Sequence, residues 1–256
     1  MKEIIEDIRR KLKDGSYKNE QHIRISLVAR ICQVLGWNIW DPVEFNTEFK
    51  VNKLVTDMKK TTGKGSVDVA LFKEPRKKNE KLFALIETKK LGEIDQASRK
   101  QLEEYSLKLN HPISILTDGK TWEFYLNSLP SPTYQYQDRM INTINLLCDN
   151  NDDIVTLFTS LLHSNITPAV ATALGKKMKA EFFIIQCIKS IKQQVINEHP
   201  NDVPAQLHSA FKSINAMYGK KVVKFEDVSR YWNTDIALGG AKDGHDDPGK
   251  GLGFTK

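Results

Sequence analysis

Residues 82–89 constrain the fold of this 256-residue chain more than any other segment. Every position from Leu82 to Ile86 is apolar, so both faces of an extended strand would be apolar here, and the polar positions begin only at Glu87. A strand of this kind must be covered on both sides, as it is at the centre of a sheet that carries helices on each face. The segment therefore predicts a sheet with covering layers, in which residues 82–89 form a central strand.

The patterns around this segment supply the other elements of such a sheet. Apolar residues recur at helical spacing over residues 1–13 and 19–35, and Gly36 is placed to end the second helix. Strand patterns cover residues 43–51, 66–72, 112–117 and 121–126, with a helix over about 94–109 and an Asp118-Gly119 turn between the last two strands. This order predicts an α/β (α+β) fold, a mixed β-sheet flanked by helices.

The chain divides into three predicted regions. Residues 1–140 form the sheet domain, with one more short strand near residues 134–136. Residues 141–234 are predicted to be mainly helical, and they are either an interaction or dimerisation module or a second part of the same core. Residues 235–256 are rich in glycine, lack an apolar face that could pack, and are predicted to be a flexible tail.

Composition narrows the class of protein only modestly. The net charge of +6 permits an anionic partner without requiring one, and the cations concentrated in residues 50–64 and 73–81 are also what two solvated loops would show. No apolar run is long enough to span a membrane, and the N-terminus does not resemble a secretory signal. Cys32, Cys148 and Cys187 each lie in an apolar run, which predicts buried thiols and a cytoplasmic location.

Three residues on the two central strands are candidates for chemistry. Side chains two apart on a strand share a face, so Glu87 and Lys89 should project together while Thr88 faces the opposite layer. Asp68 interrupts an otherwise apolar strand and would converge on Glu87 if the two strands pair. Two adjacent carboxylates repel each other unless a cation lies between them, and Mg²⁺, with Mn²⁺ able to replace it, suits oxygen ligands.

A metal bound there would polarise a phosphodiester and activate a water molecule, and Lys89 would orient that water or stabilise the charge of the transition state. Each feature also has a simpler interpretation. A Glu-x-Lys ending often marks where a buried strand returns to solvent, and an aspartate often caps a turn. The order and spacing of Asp68, Glu87 and Lys89 together favour a metal-dependent catalytic site over these simpler interpretations.

The segments GSVDVAL (65–71) and FALIETKK (83–90) resemble the PD-(D/E)XK nuclease superfamily. Within it, they are similar to the N-terminal nuclease domain of type I restriction enzyme motor subunits and to stand-alone or type IV-like restriction proteins. The resemblance covers residues 15–126 and includes Gln101-x-x-x-Tyr105 and the hairpin at 115–125. Val67 stands where the family name has proline, and no Gly-x-x-x-x-Gly-Lys-[Ser/Thr] loop is present, so the chain carries no ATPase motor.

The resemblance implies a restriction-endonuclease-like fold and a role for each matching residue. Asp68 and Glu87 would be metal ligands, Lys89 the catalytic lysine, and Gln101 a residue that orients the lysine or contacts DNA. Glu20 would add a carboxylate at the edge of the site, or would only complement the dipole of the helix that it opens. Tyr105 is a core or stacking residue, and Glu48, on the preceding strand, has no assigned role.

The predicted function is that of a Mg²⁺-dependent endodeoxyribonuclease acting on double-stranded DNA in restriction or phage defence. A homodimer and an assembly with partner restriction subunits both remain open. A rival prediction from another class is a non-catalytic DNA-binding or assembly module that retains the fold. A nuclease for RNA or branched DNA would use the same chemistry and is not distinguished by the sequence.

Overall fold

The computed structural model describes residues 1–51, 65–73, 81–127, 139–218 and 223–233. Four predicted features lie wholly or mainly outside these residues. They are the polar connection before residue 65, the basic connection over 74–80, the short strand near 134–136, and the tail over 235–256.

The described residues form a six-stranded mixed sheet whose spatial order equals the chain order. Its strands are β1 (Phe45–Val51), β2 (Gly65–Lys73), β3 (Lys81–Thr88), β4 (Ile113–Thr117), β5 (Thr121–Leu126) and β6 (Met140–Asn145). Strands β3 and β4 are parallel, and all the other neighbours are antiparallel. A parallel pair needs a crossover, and the helix between β3 and β4 supplies it. The predicted mixed sheet flanked by helices is confirmed.

Helices occupy most of the remaining described chain. They are α1 (Lys2–Lys13), α2 (Glu20–His22), a π-helical segment (Ile23–Val28), α3 (Ala29–Val34), α4 (Gln96–Ser106), α5 (Asn151–Leu162), α6 (Pro168–Glu198), α7 (Val203–Tyr218) and α8 (Phe225–Asn233). The predicted helix over 19–35 is thus one helical run with a π-helical centre. Gly36 follows it with φ +86°, as expected for a residue that ends a helix in the left-handed region.

The central strand β3 is covered on both faces, as predicted. On one face Phe83 and Ile86 belong to a large core shared with α1, the π-helical segment, α3, α5 and the start of α6. On the other face Leu85 packs in a smaller cluster that includes Leu102 and Tyr105 of α4. The helix α4 therefore lies over the end of β3 that carries the candidate residues.

Strand β6 corrects the prediction that the helical region begins at residue 141. Ile141 and Ile144 are three residues apart and are both buried in the main core, a spacing typical of a helix. In the structure the pairing of β5 with β6 shifts between Phe124 and Tyr125, so β6 contains one extra residue. Such a bulge lets two residues three apart face the same side of a strand, and a strand of this kind imitates helical periodicity.

The C-terminal helices contribute to two cores. The first part of α6, from Ala171 to Met178, packs on the main core. Gly175 lies so close to the sheet that an added Cβ would meet a side-chain carbon of Leu126 at 2.8 Å. A second core begins at Ile184 and includes residues of α7 and α8. The first part of the predicted helical region is therefore a second part of the sheet core, and the remainder packs around its own apolar cluster.

The three cysteines are free thiols, but only Cys32 and Cys187 are buried. Cys148 is exposed, contrary to prediction, because it lies in the turn after β6, where its backbone N–H donates to the carbonyl of Asn145. Within the described ranges, no helix combines the length and the apolar character needed to cross a membrane.

Candidate active site

Three acidic residues lie side by side across β1, β2 and β3. The pairs Thr47–Val69 and Phe49–Val67 flank Glu48 and Asp68, which places these two residues opposite each other. Val69 of β2 pairs with Ile86 of β3, and in this antiparallel register the next residues, Asp68 and Glu87, lie opposite each other. The predicted convergence of Asp68 and Glu87 is therefore what the register of the sheet produces.

Asp68 is held in place by the strand next to it. Its Oδ2 accepts two hydrogen bonds from Thr88, one from the backbone N–H and one from the hydroxyl, each 2.7 Å long. The carboxylate thus occupies the place of a backbone acceptor where the regular pairing of β2 with β3 ends. The sequence argument placed Thr88 only in the opposite layer and missed this contact, because alternation along one strand does not reveal what its N–H binds.

Lys89 lies between two of the predicted site residues. Its Nζ donates to Oε1 of Glu87 at 2.7 Å and to Oε1 of Gln101 at 3.1 Å. The amide Nε2 of Gln101 donates in turn to the hydroxyl of Tyr105 at 3.2 Å, one helical turn further along α4. The structure thus brings Glu87, Lys89 and Gln101 together, and it places Tyr105 in the core beside them.

Glu87 is the most deeply buried carboxylate of this group, with a side chain only 3% exposed. Its Oε1 faces Lys89, while its Oε2 is buried and has no hydrogen-bond partner within the described part of the chain. Burial, together with the negative charge of Asp68, raises the pKa of Glu87 to about 7, and Lys89 only partly offsets this. Burial lowers the pKa of Lys89, but its pairing with Glu87 outweighs that effect, so the net pKa is raised and the ammonium stays protonated.

Glu20, the first residue of α2, lies within electrostatic range of Asp68 and Lys89. Burial and the nearby charge of Asp68 raise the pKa of Glu20, and Lys89 and Arg24 act in the opposite direction. Glu20 is also in the first turn of its helix, where its negative charge complements the helix dipole. Its position therefore agrees with both interpretations of this residue.

Arg24 is a member of the site that the sequence argument did not identify. Its Nη1 lies 3.2 Å from Oδ1 of Asp68 and 3.2 Å from Oε1 of Glu48. The signal available in the sequence was its position four residues after Glu20, on the same helical face. Asp68 lies 44 residues further along the chain, and helical spacing alone cannot reveal such a partner.

We name Glu20, Glu48, Asp68 and Glu87, with Arg24 and Lys89, the acidic site. When ionised, its four carboxylates exceed its two side-chain cations by two negative charges. The unpartnered Oε2 of Glu87 and the neighbouring Asp68 fit a hard divalent cation with oxygen ligands. Across the described part of the chain, no group of three His, Cys, Asp or Glu side chains is arranged as a ready metal site, so any cation would need ligands in addition to these two carboxylates.

An open groove of about 490 Å³ borders the acidic site on the α4 side. Lys89 and Gln101 line it together with Gly92, Glu93, Ile94, Asp95, Ala97 and Ser98. The groove exposes the lysine and the glutamine to a ligand that approaches along the N-terminal turn of α4.

Comparison of the chain with protein-family models, with curated proteins and with solved structures finds no match. The resemblance to PD-(D/E)XK nucleases therefore rests on the sequence motifs alone.

Proposed function

We propose that the chain is a Mg²⁺-dependent endodeoxyribonuclease with a restriction-endonuclease-like fold, acting on double-stranded DNA in restriction or phage defence. The observation that carries the proposal is the environment of Glu87 beside Asp68. This buried carboxylate has Lys89 on one oxygen and, among the described residues, no partner on the other. A buried carboxylate oxygen without a hydrogen-bond partner is costly, and carboxylates with such perturbed environments cluster at functional sites.

The fit of the acidic site to Mg²⁺ supports the choice of cofactor. Asp68 and Glu87 would hold the metal through oxygen atoms, which is the ligand type that Mg²⁺ prefers, and Mn²⁺ would replace it. Once bound, the metal would supply Lewis-acid activation of the phosphodiester and of the attacking water.

The side chains of the acidic site have complementary tasks in this proposal. Thr88 fixes one oxygen of Asp68, so the carboxylate does not have to be ordered when substrate binds. Lys89, protonated and held by Glu87 and Gln101, would stabilise the negative charge that develops on the phosphate. Because the pKa of Lys89 is raised, a role as general base is disfavoured.

The remaining parts of the proposal rest on fewer observations. The free thiols agree with a reducing compartment, so we propose a cytoplasmic location. A homodimer or an assembly with partner restriction subunits, with no ATPase motor in this chain, is also part of the proposal.

The test is cleavage of supercoiled plasmid, modified and unmodified, in Mg²⁺ or Mn²⁺ by the wild type and by Asp68→Asn and Lys89→Ala. The wild type should convert the plasmid to open-circular and linear forms, and both variants should lose this activity. Lys90→Ala is the matched control, because Lys90 is exposed and pairs with Glu93. If the wild type cuts nothing, or if Asp68→Asn cuts as well as the wild type, the proposal is wrong.

A gel-shift measurement on the same proteins separates the rival function. DNA binding without any cleavage in either metal would favour a non-catalytic DNA-binding or assembly module. Cleavage of RNA or branched DNA in place of the plasmid would keep the chemistry and change the substrate.

A further inference from the structure

Arg24 occupies the side of Asp68 that Thr88 leaves open. Oδ2 of Asp68 accepts both hydrogen bonds from Thr88, and Oδ1 faces Nη1 of Arg24 at 3.2 Å. A cation that binds Asp68 would therefore meet the positive charge of Arg24 at close range. Like charges at this distance disfavour each other strongly when both are partly buried.

The guanidinium of Arg24 is itself incompletely satisfied. The side chain is 15% exposed, and its Nε is buried with no hydrogen-bond partner in the residues that the structure describes. Its second anionic partner, Glu48, is 71% exposed, so that ion pair is weak. Arg24 therefore has donor capacity that the described protein groups do not use, and one of its two contacts is easily given up.

The backbone is irregular both at Arg24 and at its partner Glu48. Arg24 lies in the π-helical segment Ile23–Val28, and Glu48 has φ +54° in the middle of β1. Single π-helical turns inside α-helices are frequent at functional sites, and a residue other than glycine in the left-handed region costs free energy that the surrounding structure must offset. Both irregularities adjoin the same guanidinium.

We infer that Arg24 and the divalent cation compete for Asp68, and that Arg24, when displaced, binds a phosphate of the nucleic-acid backbone. This inference rests on the proposed function of the acidic site. A planar guanidinium with five donors matches the oxygens of a phosphodiester, and such an oxygen would satisfy the unpartnered Nε. Arg24 is then a phosphate-binding residue that neutralises Asp68 until the cation takes its place.

The first measurement is the affinity of the free protein for Mn²⁺ alone, by calorimetry, for the wild type and Arg24→Gln. Removing the competing charge should tighten Mn²⁺ binding by about 5-fold to 150-fold, the usual range for coupled sites. Arg30→Gln is the matched control, because Arg30 lies in α3 and pairs with Asp7 away from the acidic site. The affinity of this control should equal that of the wild type.

The second measurement is the affinity for a short DNA duplex in Ca²⁺, by fluorescence anisotropy at several salt concentrations. Arg24→Gln should bind the duplex at least about 5-fold more weakly and show a shallower salt dependence, because one phosphate contact is lost. A folded Arg24→Gln protein with unchanged or weaker Mn²⁺ binding, or with unchanged DNA binding, would overturn the inference.

If Arg24→Gln does not fold, the wild type provides the test. The side-chain Nε resonance of Arg24, assigned with Arg24→Lys, should shift on titration with Mg²⁺ and again on addition of the duplex. A resonance that stays in place at saturating Mg²⁺ contradicts displacement.

The outcomes also separate this inference from the proposed function. If neither the wild type nor Arg24→Gln binds Mn²⁺, both fail. Equal Mn²⁺ affinity in the two proteins overturns only the inference, and tighter binding by Arg24→Gln without any plasmid cleavage overturns only the nuclease proposal.

Discussion

Thr88 donates two hydrogen bonds to a single oxygen of Asp68, each 2.7 Å long. Asp68 lies on β2, and Thr88 follows Glu87 on β3, so the position of the Asp68 carboxylate is determined by the residue next to Glu87. The backbone N–H would persist in any substitution of Thr88 except proline, whereas the hydroxyl can be removed by itself.

We expect Thr88→Val to lower the free energy of unfolding by about 1 kcal/mol and to reduce Mn²⁺ affinity and plasmid cleavage, since Asp68 loses one of its two donors. Thr117→Val is the matched control. Thr117 is buried beside Thr88, and its hydroxyl bonds to Thr121 and Gly119, away from the carboxylates. Equal losses of Mn²⁺ affinity in the two variants would show that Thr88 has no specific role at Asp68.

Gln101→Ala removes the amide oxygen that accepts from Lys89 at 3.1 Å. Lys89 would keep its pairing with Glu87 but lose its orientation toward the groove, so we expect cleavage to fall by about 10-fold to 100-fold with little change in DNA affinity. The measurement is single-turnover cleavage beside a gel shift. Gln193→Ala, on the exposed face of α6, should behave as the wild type. A parallel loss of DNA affinity would indicate that Gln101 contacts DNA directly.

Arg99 holds α4 to the sheet through Glu123. Its guanidinium donates to both carboxylate oxygens at 3.0 and 2.6 Å, and the hydroxyl of Tyr125 donates to the same carboxylate at 2.6 Å. The side chain of Glu123 is only 6% exposed, so Arg99→Met should leave a buried charge and lower the free energy of unfolding by about 2 to 4 kcal/mol.

Urea unfolding measures this change, and Arg99→Met/Glu123→Leu should recover part of it, because the double variant buries no unpaired charge. Lys177→Met, which removes an exposed pair on α6, should change stability little. If the double variant is no more stable than Arg99→Met, the charge of Glu123 is not the cause.

His111 makes stability depend on pH. Burial lowers the pKa of His111 to about 4, from an ordinary value near 6.5. Between these values the unfolded chain binds a proton that the folded chain does not, so stability is full above about pH 6.5 and falls as the pH approaches 4. The loss should reach about 2 to 3 kcal/mol near pH 4.

Urea unfolding at pH 7 and pH 4.5 measures the loss for the wild type and His111→Asn. The variant should be less stable at pH 7, because it loses the ring contacts to Leu109 and Ser114, but its stability should change less between the two pH values. His22→Asn, at an exposed position, should retain the full dependence. An identical pH dependence in wild type and His111→Asn would exclude His111 as the source.

Much of the fold was predictable because its signals are local. The apolar run in β3, the alternation in β2 and the helical period before Gly36 depend on residues two to four positions apart. The two wrong predictions, of a helix at residue 141 and of a buried Cys148, also came from reading local patterns. The bulge at Ile141 gave a strand the spacing of a helix, and Cys148 follows apolar neighbours but lies in an exposed turn.

The sequence by itself determined that a carboxylate and a lysine share one face at the end of a buried strand, and that a second carboxylate interrupts the strand before it. Only the tertiary structure decided which groups meet them. Strand register set Glu48, Asp68 and Glu87 side by side, α4 brought Gln101 to Lys89, and the π-helical segment brought Arg24 to Asp68. These contacts join residues 12 to 44 positions apart, and they depend on how the layers pack, which the periodicity of a single segment does not encode.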